Sequence, residues 1–294
     1  MKSGFVSIVG RPNVGKSTLL NKLLNKKIAI TSDKVGTTRN MIYGVYNEDD
    51  TQIVFVDTPG INKATSKLGE VLNKTAYSSF ENDLVLFLVD IASGFGPNDN
   101  KILNRLKEDK KQVILVLTKV DLIKKEKLFE EINKLKDLYD FLDIVPISSV
   151  KNINISELIQ VIKKYLPDNI KYFDDDVITN VSERFLISEI IREKVLNLTR
   201  EEVPHAVTCL VENMDFKKDK CYINAVIVVD RDNLKGIIIG KNGQMLKKIG
   251  SLARKEIEVL LDKKVYLELF VKVIENWRQK PNLFEELGIT EEND

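Results

Sequence analysis

Eight residues, Gly10-Arg11-Pro12-Asn13-Val14-Gly15-Lys16-Ser17, constrain this chain more than any others. They follow the apolar run Phe5-Val6-Ser7-Ile8-Val9 and precede Leu19, Leu20, Leu23 and Leu24, which recur at helical spacing. A G-x-x-x-x-G-K-[ST] loop between a strand and a helix cradles phosphate on its backbone. Glycine lets the main chain come close, while successive N–H groups and the helix N-terminus supply positive potential. Lys16 then reaches the β- and γ-phosphates, Ser17 holds Mg²⁺, and Gly10, Asn13, Val14, Gly15 and Thr18 complete the cradle.

The first half alternates apolar runs with helical periods. Strands are expected at Phe5–Val9, Ile53–Val56, Leu84–Val89, Val113–Leu117 and Ile144–Ile147. Helices are expected at Ser17–Leu24, Ser66–Ser79, Lys101–Leu106, Lys125–Tyr139 and Ile155–Tyr165. Continuous Val/Ile/Leu strands separated by helices predict an α/β domain with a mostly parallel sheet covered on both faces. Ligands of such sheets sit at the carboxyl ends of the strands. This rhythm stops at Pro167. Residues 168–180 read as a polar, acidic linker, which leaves residues 1–167 as one domain and 181–294 as another. The second holds a helix Ser182–Leu198, strands Ala206–Glu212 and Cys221–Val229, a helix ending at Leu261, a strand Val265–Val273 and a short helix near Pro281–Leu287.

A length of 294 residues suits two domains. With 30% charged and 43% hydrophobic residues the composition is that of a soluble globular protein. The net charge of +1 names no polyanion partner, but it averages over a pattern. Between Arg231 and Lys280 twelve basic residues face six acidic ones, and residues 281–294 carry five acidic residues and no basic one. Cys209 and Cys221 lack a C-x-x-C spacing and His205 is the sole histidine, so a zinc site is not expected and the cysteines read as buried, reduced thiols. The chain enters a strand within a few residues, so no signal peptide is expected. No run of eighteen or more apolar residues exists. A cytoplasmic monomer is the expectation, and peripheral contact with the inner face of the cell membrane stays open.

Three further motifs follow strands. Asp57-Thr58-Pro59-Gly60 places a carboxylate where it can hold Mg²⁺ and an N–H, that of Gly60, where it can bind a γ-phosphate. Thr118-Lys119-Val120-Asp121 offers a carboxylate that accepts from N1–H and the amino group of guanine. Adenine would leave that carboxylate unpaired, which is costly. Ser148-Ser149-Val150-Lys151 follows the last strand, where the Ser149 N–H can meet guanine O6. Between the first two motifs, Thr37-Thr38-Arg39 looks like a switch whose Thr38 closes on Mg²⁺ and the γ-phosphate.

These four motifs, in this order, resemble the translation-factor-like GTPases over residues 1–167. That resemblance implies GTP or GDP with Mg²⁺ as ligands, with Ser17, Thr38 and Asp57 at the metal. The chain departs from the family at Thr118, where Asn is usual, at Ser149, where Ala is usual, and at Ile61, where regulatory GTPases carry a water-orienting Gln. Slow intrinsic hydrolysis follows, with Lys16 and Thr38 as the main catalytic groups. Asn13 together with the TTR switch resembles the potassium-activated subgroup, in which K⁺ stands where an arginine finger would.

In the second half, Gly240-Lys241-Asn242-Gly243 is a G-x-x-G turn entered by Ile237-Ile238-Ile239 and left by an amphipathic helix. Lys235, Lys241, Lys247, Lys248, Arg254 and Lys255 surround it, and Ile237–Ile239, Leu246 and Ile249 read as the wall of a groove. Such a turn can lie against a nucleic-acid backbone. Gly240 to Gly243 with Lys235, Lys247, Lys248 and Arg254 are therefore the candidate RNA contacts. Trp277 and Tyr266 could stack on bases but read first as core residues, and His205 reads as a turn or packing residue rather than a catalyst.

Residues 203–288 resemble the α+β type II KH domain of the Era-type GTPases, through Val203-Pro204-His205, Ile239–Gln244, Lys247–Arg254, Lys264–Leu269 and Val271 through Arg278. A GTPase domain followed by a KH domain is specific to that family. The resemblance implies GTP hydrolysis stimulated by K⁺ or RNA, binding of 16S rRNA near its 3′ end, and a role in assembling the 30S ribosomal subunit. A nucleotide-switched RNA-binding module whose hydrolysis is incidental is the alternative.

Overall fold

The computed structural model describes residues 1–34, 36–61, 64, 66–78 and 82–289. Ser79, at the end of an expected helix, Val35 in the switch stretch, and the acidic Glu291, Glu292 and Asp294 lie outside them. The chain divides into two compact units, one built mainly from residues up to Asn180 and one from Val181 onward. Segments Ile30–Thr37 and Ala64–Val71 group with the second.

The first unit is a six-stranded sheet of β1 (Lys2–Val9), β2 (Ile42–Glu48), β3 (Thr51–Asp57), β4 (Leu84–Asp90), β5 (Val113–Thr118) and β6 (Asp143–Pro146). Their order is β2-β3-β1-β4-β5-β6, parallel except for the pair β2–β3. Every residue of β3, β4 and β5 is buried, the signature of strands covered on both faces. The helices are α1 (Lys16–Leu24), α2 (Lys67–Ser78), α3 (Pro97–Glu108), α4 (Lys125–Leu135) and α5 (Ile155–Tyr165). On α5 the residues Ile155, Leu158, Ile159 and Ile162 form one buried stripe. Because β1 lies between β3 and β4, the strand order reverses there, and a crevice opens at the carboxyl ends of these strands.

Strand β2 has no counterpart among the expected strands, α3 starts four residues before the expected Lys101, and α4 ends at Leu135 rather than Tyr139. The stretch 168–180 lies on this unit. Lys2 bridges to Asp168 and Gly44 to Thr179, Gln52 Nε2 donates to the Phe173 carbonyl at 2.8 Å, and the rings of Phe5 and Tyr172 meet edge to face at 4.9 Å.

The second unit runs α6 (Glu183–Leu198), α7 (Val203–Ala206), β7 (Val207–Phe216), β8 (Lys220–Val229), α8 (Asp232–Ile239), α9 (Gln244–Leu261) and β9 (Lys264–Val273). Apart from the single turn α7, the order is α-β-β-α-α-β, an α+β domain as expected. Ser182 caps α6 by accepting from Phe185 N. The sheet order is β7-β8-β9, antiparallel then parallel, and the parallel pair needs the α8–α9 crossover. Cys209 and Cys221 are buried in its core with Ile187, Ile191, Ile227, Ile238, Ile249 and Ile257.

Within this unit, Ile30 joins that core, Thr31 N donates to Glu193, and the buried Arg192 donates to the Thr37 carbonyl. After β9 the expected last helix is only two short 3₁₀ turns, Trp277–Gln279 and Pro281–Leu283. Trp277 is fully buried, its indole N–H donates to the Ala206 carbonyl at 3.1 Å, and Arg278 pairs with buried Asp230 at 2.6 Å. Among the described residues no helix is long and apolar enough to cross a membrane.

Replacing Trp277 leaves a large cavity and an unmet carbonyl. Trp277→Ala is expected to cost about 3–5 kcal/mol. Urea unfolding followed by far-UV circular dichroism should show that loss, and a change below about 1 kcal/mol would refute the structural role.

Candidate functional site

Helix α1 starts directly after β1, and Gly15 before it sits at φ 102°, a conformation that favours glycine. No side chain caps α1 and no acid lies in its first turn, so its first N–H groups face the crevice. Gly10 can carry no side chain, since a Cβ there would lie 2.7 Å from the Leu88 carbonyl oxygen.

Two charges are buried in this crevice. Lys16 is 6% exposed and donates to the carbonyls of Gly10 at 3.1 Å and Arg11 at 3.2 Å. Burial pushes its pKa down to about 8, against the pull of Asp57. Asp57, at the end of β3, is 0% exposed, and burial pushes its pKa up to about 6 despite Lys16, the Ser17 hydroxyl and the Thr58 N–H. Ser17 Oγ donates to Asp57 Oδ2 at 2.6 Å and lies 2.9 Å from Thr38 Oγ1. Asp57 Oδ1 is buried without a hydrogen-bond partner. A hydroxyl pair and a carboxylate with an orphaned buried oxygen form a hard-oxygen set that fits Mg²⁺. Gly60 lies against the phosphate loop, for a Cβ there would come within 3.0 Å of Pro12 Cα.

The motif after β5 serves the same loop. Thr118 is buried, and its hydroxyl donates to the Val14 carbonyl at 2.8 Å, with the Val89 carbonyl at 3.3 Å. Lys119 Nζ donates to the Asn13 carbonyl at 2.8 Å and pairs with Asp90 at 2.7 Å. Asp121 sits exposed in the 3₁₀ turn Val120–Leu122, open to a ligand. Ser148 is buried, its Oγ accepts from Lys151 N at 3.1 Å, and Ser149 beside it is half-buried. The structure therefore links Gly10, Asn13, Val14, Lys16, Ser17, Thr38, Asp57, Thr118 and Lys119 by hydrogen bonds, with Gly15 and Thr18 at the start of α1 and Gly60 beside Pro12. Asp121, Ser148 and Ser149 stand at the neighbouring strand ends.

Asp90 was missed in the sequence, although a carboxylate ending a buried strand is itself a signal. So was Arg11, whose guanidinium binds Ser93 Oγ, the Gly94 carbonyl and buried Asp99. Ile61 is 7% exposed and belongs to the core beside Phe87 and Val89.

In the second unit the turn Gly240–Gly243 joins α8 to α9, with Gly240 at φ 70°, Asn242 at φ 51° and Gly243 at φ 74°. A groove of about 360 Å³ follows it, lined by Gly243, Leu246, Lys247, Gly250, Arg254 and Leu269, among others. Lys235, Lys241 and Lys248 are outside that lining, although Lys241 and Lys248 are exposed nearby in sequence. The expected groove wall is corrected in part. Ile238 and Ile249 are 0% exposed in the core, while Leu246 lines the groove as expected, joined by Leu267 and Leu269 of β9. His205 is an exposed turn residue whose backbone N–H donates to the Glu202 carbonyl at the start of α7, and Tyr266 is exposed rather than in the core.

A family model described as a 50S ribosome-binding GTPase matches residues 5–119, and one described as a KH domain matches residues 202–278. A crystal structure of a variant of Era from Aquifex aeolicus bound to GDP·AlF₄⁻ is 43% identical, with a TM-score of 0.95, over 99% of this chain and 100% of that one. A second Era structure, in complex with MgGDPNP and nucleotides 1506–1542 of 16S ribosomal RNA, is also 43% identical at a TM-score of 0.95, over 99% of each chain.

The oxygen set makes a testable claim about the metal. Ser17→Ala should weaken nucleoside triphosphate binding at least ~10-fold with Mg²⁺ present and change it little in EDTA. Equal losses in both conditions, measured by fluorescent-nucleotide titration, would remove Ser17 from the metal site.

Proposed function

The chain belongs to the Era family of GTPases, and from that premise we propose that it hydrolyses GTP, binds the 3′ region of 16S rRNA and assists maturation of the 30S subunit in the cytoplasm. The observation that carries this is end-to-end similarity to an Era chain crystallised with both a GTP analogue and 16S rRNA nucleotides. Residues 1–167 act as the GTPase domain, 181–294 as the KH domain, and 168–180 connect them.

In this reading Lys16 binds the β- and γ-phosphates, and the α1 N-terminus with the loop N–H groups holds their remaining oxygens. Ser17, Thr38 and Asp57 hold Mg²⁺, which supplies positive charge as negative charge shifts during phosphoryl transfer. Asp121 selects guanine, the Ser149 N–H meets its O6, and Lys119 and Thr118 keep the loop rigid. The G-x-x-G turn and the groove after it take single-stranded RNA. Nucleotide state and RNA affinity are coupled in this reading, with Thr38 beside Ser17 as the residue that senses the nucleotide.

Ile61, turned into the core, orients no water. Positive charge at the transition state would instead come from K⁺ held by Asn13 in the phosphate loop, where an arginine finger would otherwise stand. The kcat should rise about tenfold or more in K⁺ relative to Na⁺ at matched ionic strength, and Asn13→Ala should abolish the difference. Equal rates in the two salts refute this.

For RNA, glycine replacement is a poor probe, because a Cβ at Gly240 would lie 2.7 Å from Met245 Cβ. Lys241 and Asn242 are exposed, and Asp tolerates the left-handed backbone at 242. Lys241→Asp/Asn242→Asp should weaken binding of a 3′-terminal 16S oligonucleotide by about 100-fold and leave GTP hydrolysis without RNA intact. Unchanged affinity in an anisotropy titration would overturn the KH reading.

A further inference from the structure

The C-terminal sheet has two faces: one packs on the helices, and the other is buried at Val226 and Val228 but open toward Tyr222 and Tyr266. Odd-numbered residues of β8 and β9, such as Ile223, Ile227 and Val265, are buried with the helices. Strand alternation sends Tyr222, Asn224, Tyr266, Glu268, Phe270 and Lys272 to the other face. Tyr266 is 55% exposed there and Phe270 50%. Tyr222 and Tyr266 are cross-strand partners with ring centroids 5.7 Å apart, and the Lys217 ammonium lies 4.7 Å from the centre of the Tyr222 ring. Lys217, Lys218, Lys220, Lys263 and Lys264 are all exposed at this end of the sheet, against Asp215, Asp219 and Asp262. Register pairs Lys220 with Lys264, so the β7–β8 turn and the start of β9 present their lysines side by side.

Exposed aromatic faces beside an excess of ammonium groups are what a single strand of nucleic acid uses. Bases stack on rings whatever their sequence, and phosphates meet the lysines. A stacking sheet face that takes two or three bases is a known solution. Glu268 and Asn224 lie opposite one another on the same face and can bond base edges. Strand β9 is one of the two edge strands of the sheet, opposite β7. Leu267 and Leu269 on its inner side line the groove after the G-x-x-G turn, while Tyr266 and Phe270 point away from it.

We infer that this outer face, centred on Tyr222, Tyr266 and Phe270, is a second contact for single-stranded RNA, reached by nucleotides that leave the groove and pass round the β9 edge. The inference rests on the RNA-binding reading above. It predicts that affinity depends on RNA length in a way that the groove alone would not produce.

The test uses the full chain and two oligoribonucleotides of the same 3′-terminal 16S sequence, one of about five nucleotides and one of about fifteen. Tyr222→Ala/Tyr266→Ala should weaken the longer RNA about ten- to a hundredfold in anisotropy titrations and leave the shorter unchanged. Lys220→Glu/Lys264→Glu, which touches no ring, should do the same, with the far-UV dichroism of both variants unaltered. Unchanged affinity for the longer RNA, or equal loss at both lengths, overturns the inference. Unchanged RNA affinity with lost co-sedimentation on 30S subunits would assign the face to a protein and overturn it too. Lys241→Asp/Asn242→Asp keeps the two readings apart. If that variant fails to weaken either RNA, the groove reading falls, and if it weakens both while the tyrosine pair does nothing, only this inference falls.

Discussion

A buried ammonium and a buried carboxylate stand at the carboxyl ends of β1 and β3, and the N-terminal unit is arranged to make that tolerable. Removing an ion from water costs several kcal/mol even after relaxation. Here Lys16 spends its donors on two loop carbonyls and Asp57 takes one hydroxyl and one N–H, yet Asp57 Oδ1 stays unmet. Burial is the largest influence on both groups, lowering the lysine pKa and raising the aspartate's. Each shift means that the charged form is held against its preference, a cost that triphosphate oxygens beside Lys16 and a divalent cation beside Asp57 would relieve. The site is thus built for charges of the opposite sign, and ligand binding adds stability in proportion to its affinity.

What holds such a site open is the rigidity of the loop around it. Family members usually have an Asn at position 118. The Thr118 hydroxyl ties the end of β5 to the Val14 carbonyl and to β4, so the mechanical link needs only one donor and survives the smaller side chain. Lys119 repeats the link from the other side through the Asn13 carbonyl and Asp90. The phosphate loop is therefore braced from the end of β5, while Asp121, two residues beyond Lys119, stays exposed.

Much of this was legible in the sequence because fully buried strands read as unbroken apolar runs, and the chemistry follows them directly. Strand β2 was not legible. It lies at the edge, pairs antiparallel, and its Ile42-Tyr43-Gly44-Val45-Tyr46 has no clean period. Helix α8 hid behind Ile237-Ile238-Ile239, a β-branched run that favours strands. It is helical because Leu234 and Ile238, four apart, reach the core together. Tyr266 was misread for a related reason. An aromatic in an apolar strand looks like core, but its parity puts it opposite Val265 and into water.

Ile61 carries the last step. Ile61 joins Val9, Phe87 and Val89 in the core. Burying it contributes roughly 2 kcal/mol to the fold and removes the position from the chemistry. The same residue cannot serve both ends. In the phosphate loop, Asn13 is an exposed, left-handed residue at φ 65°. With its carbonyl held by Lys119, its side chain leaves the backbone from a fixed point. A cation held there would be pre-organised by the protein, and pre-organised charge is what stabilises a transition state without further cost.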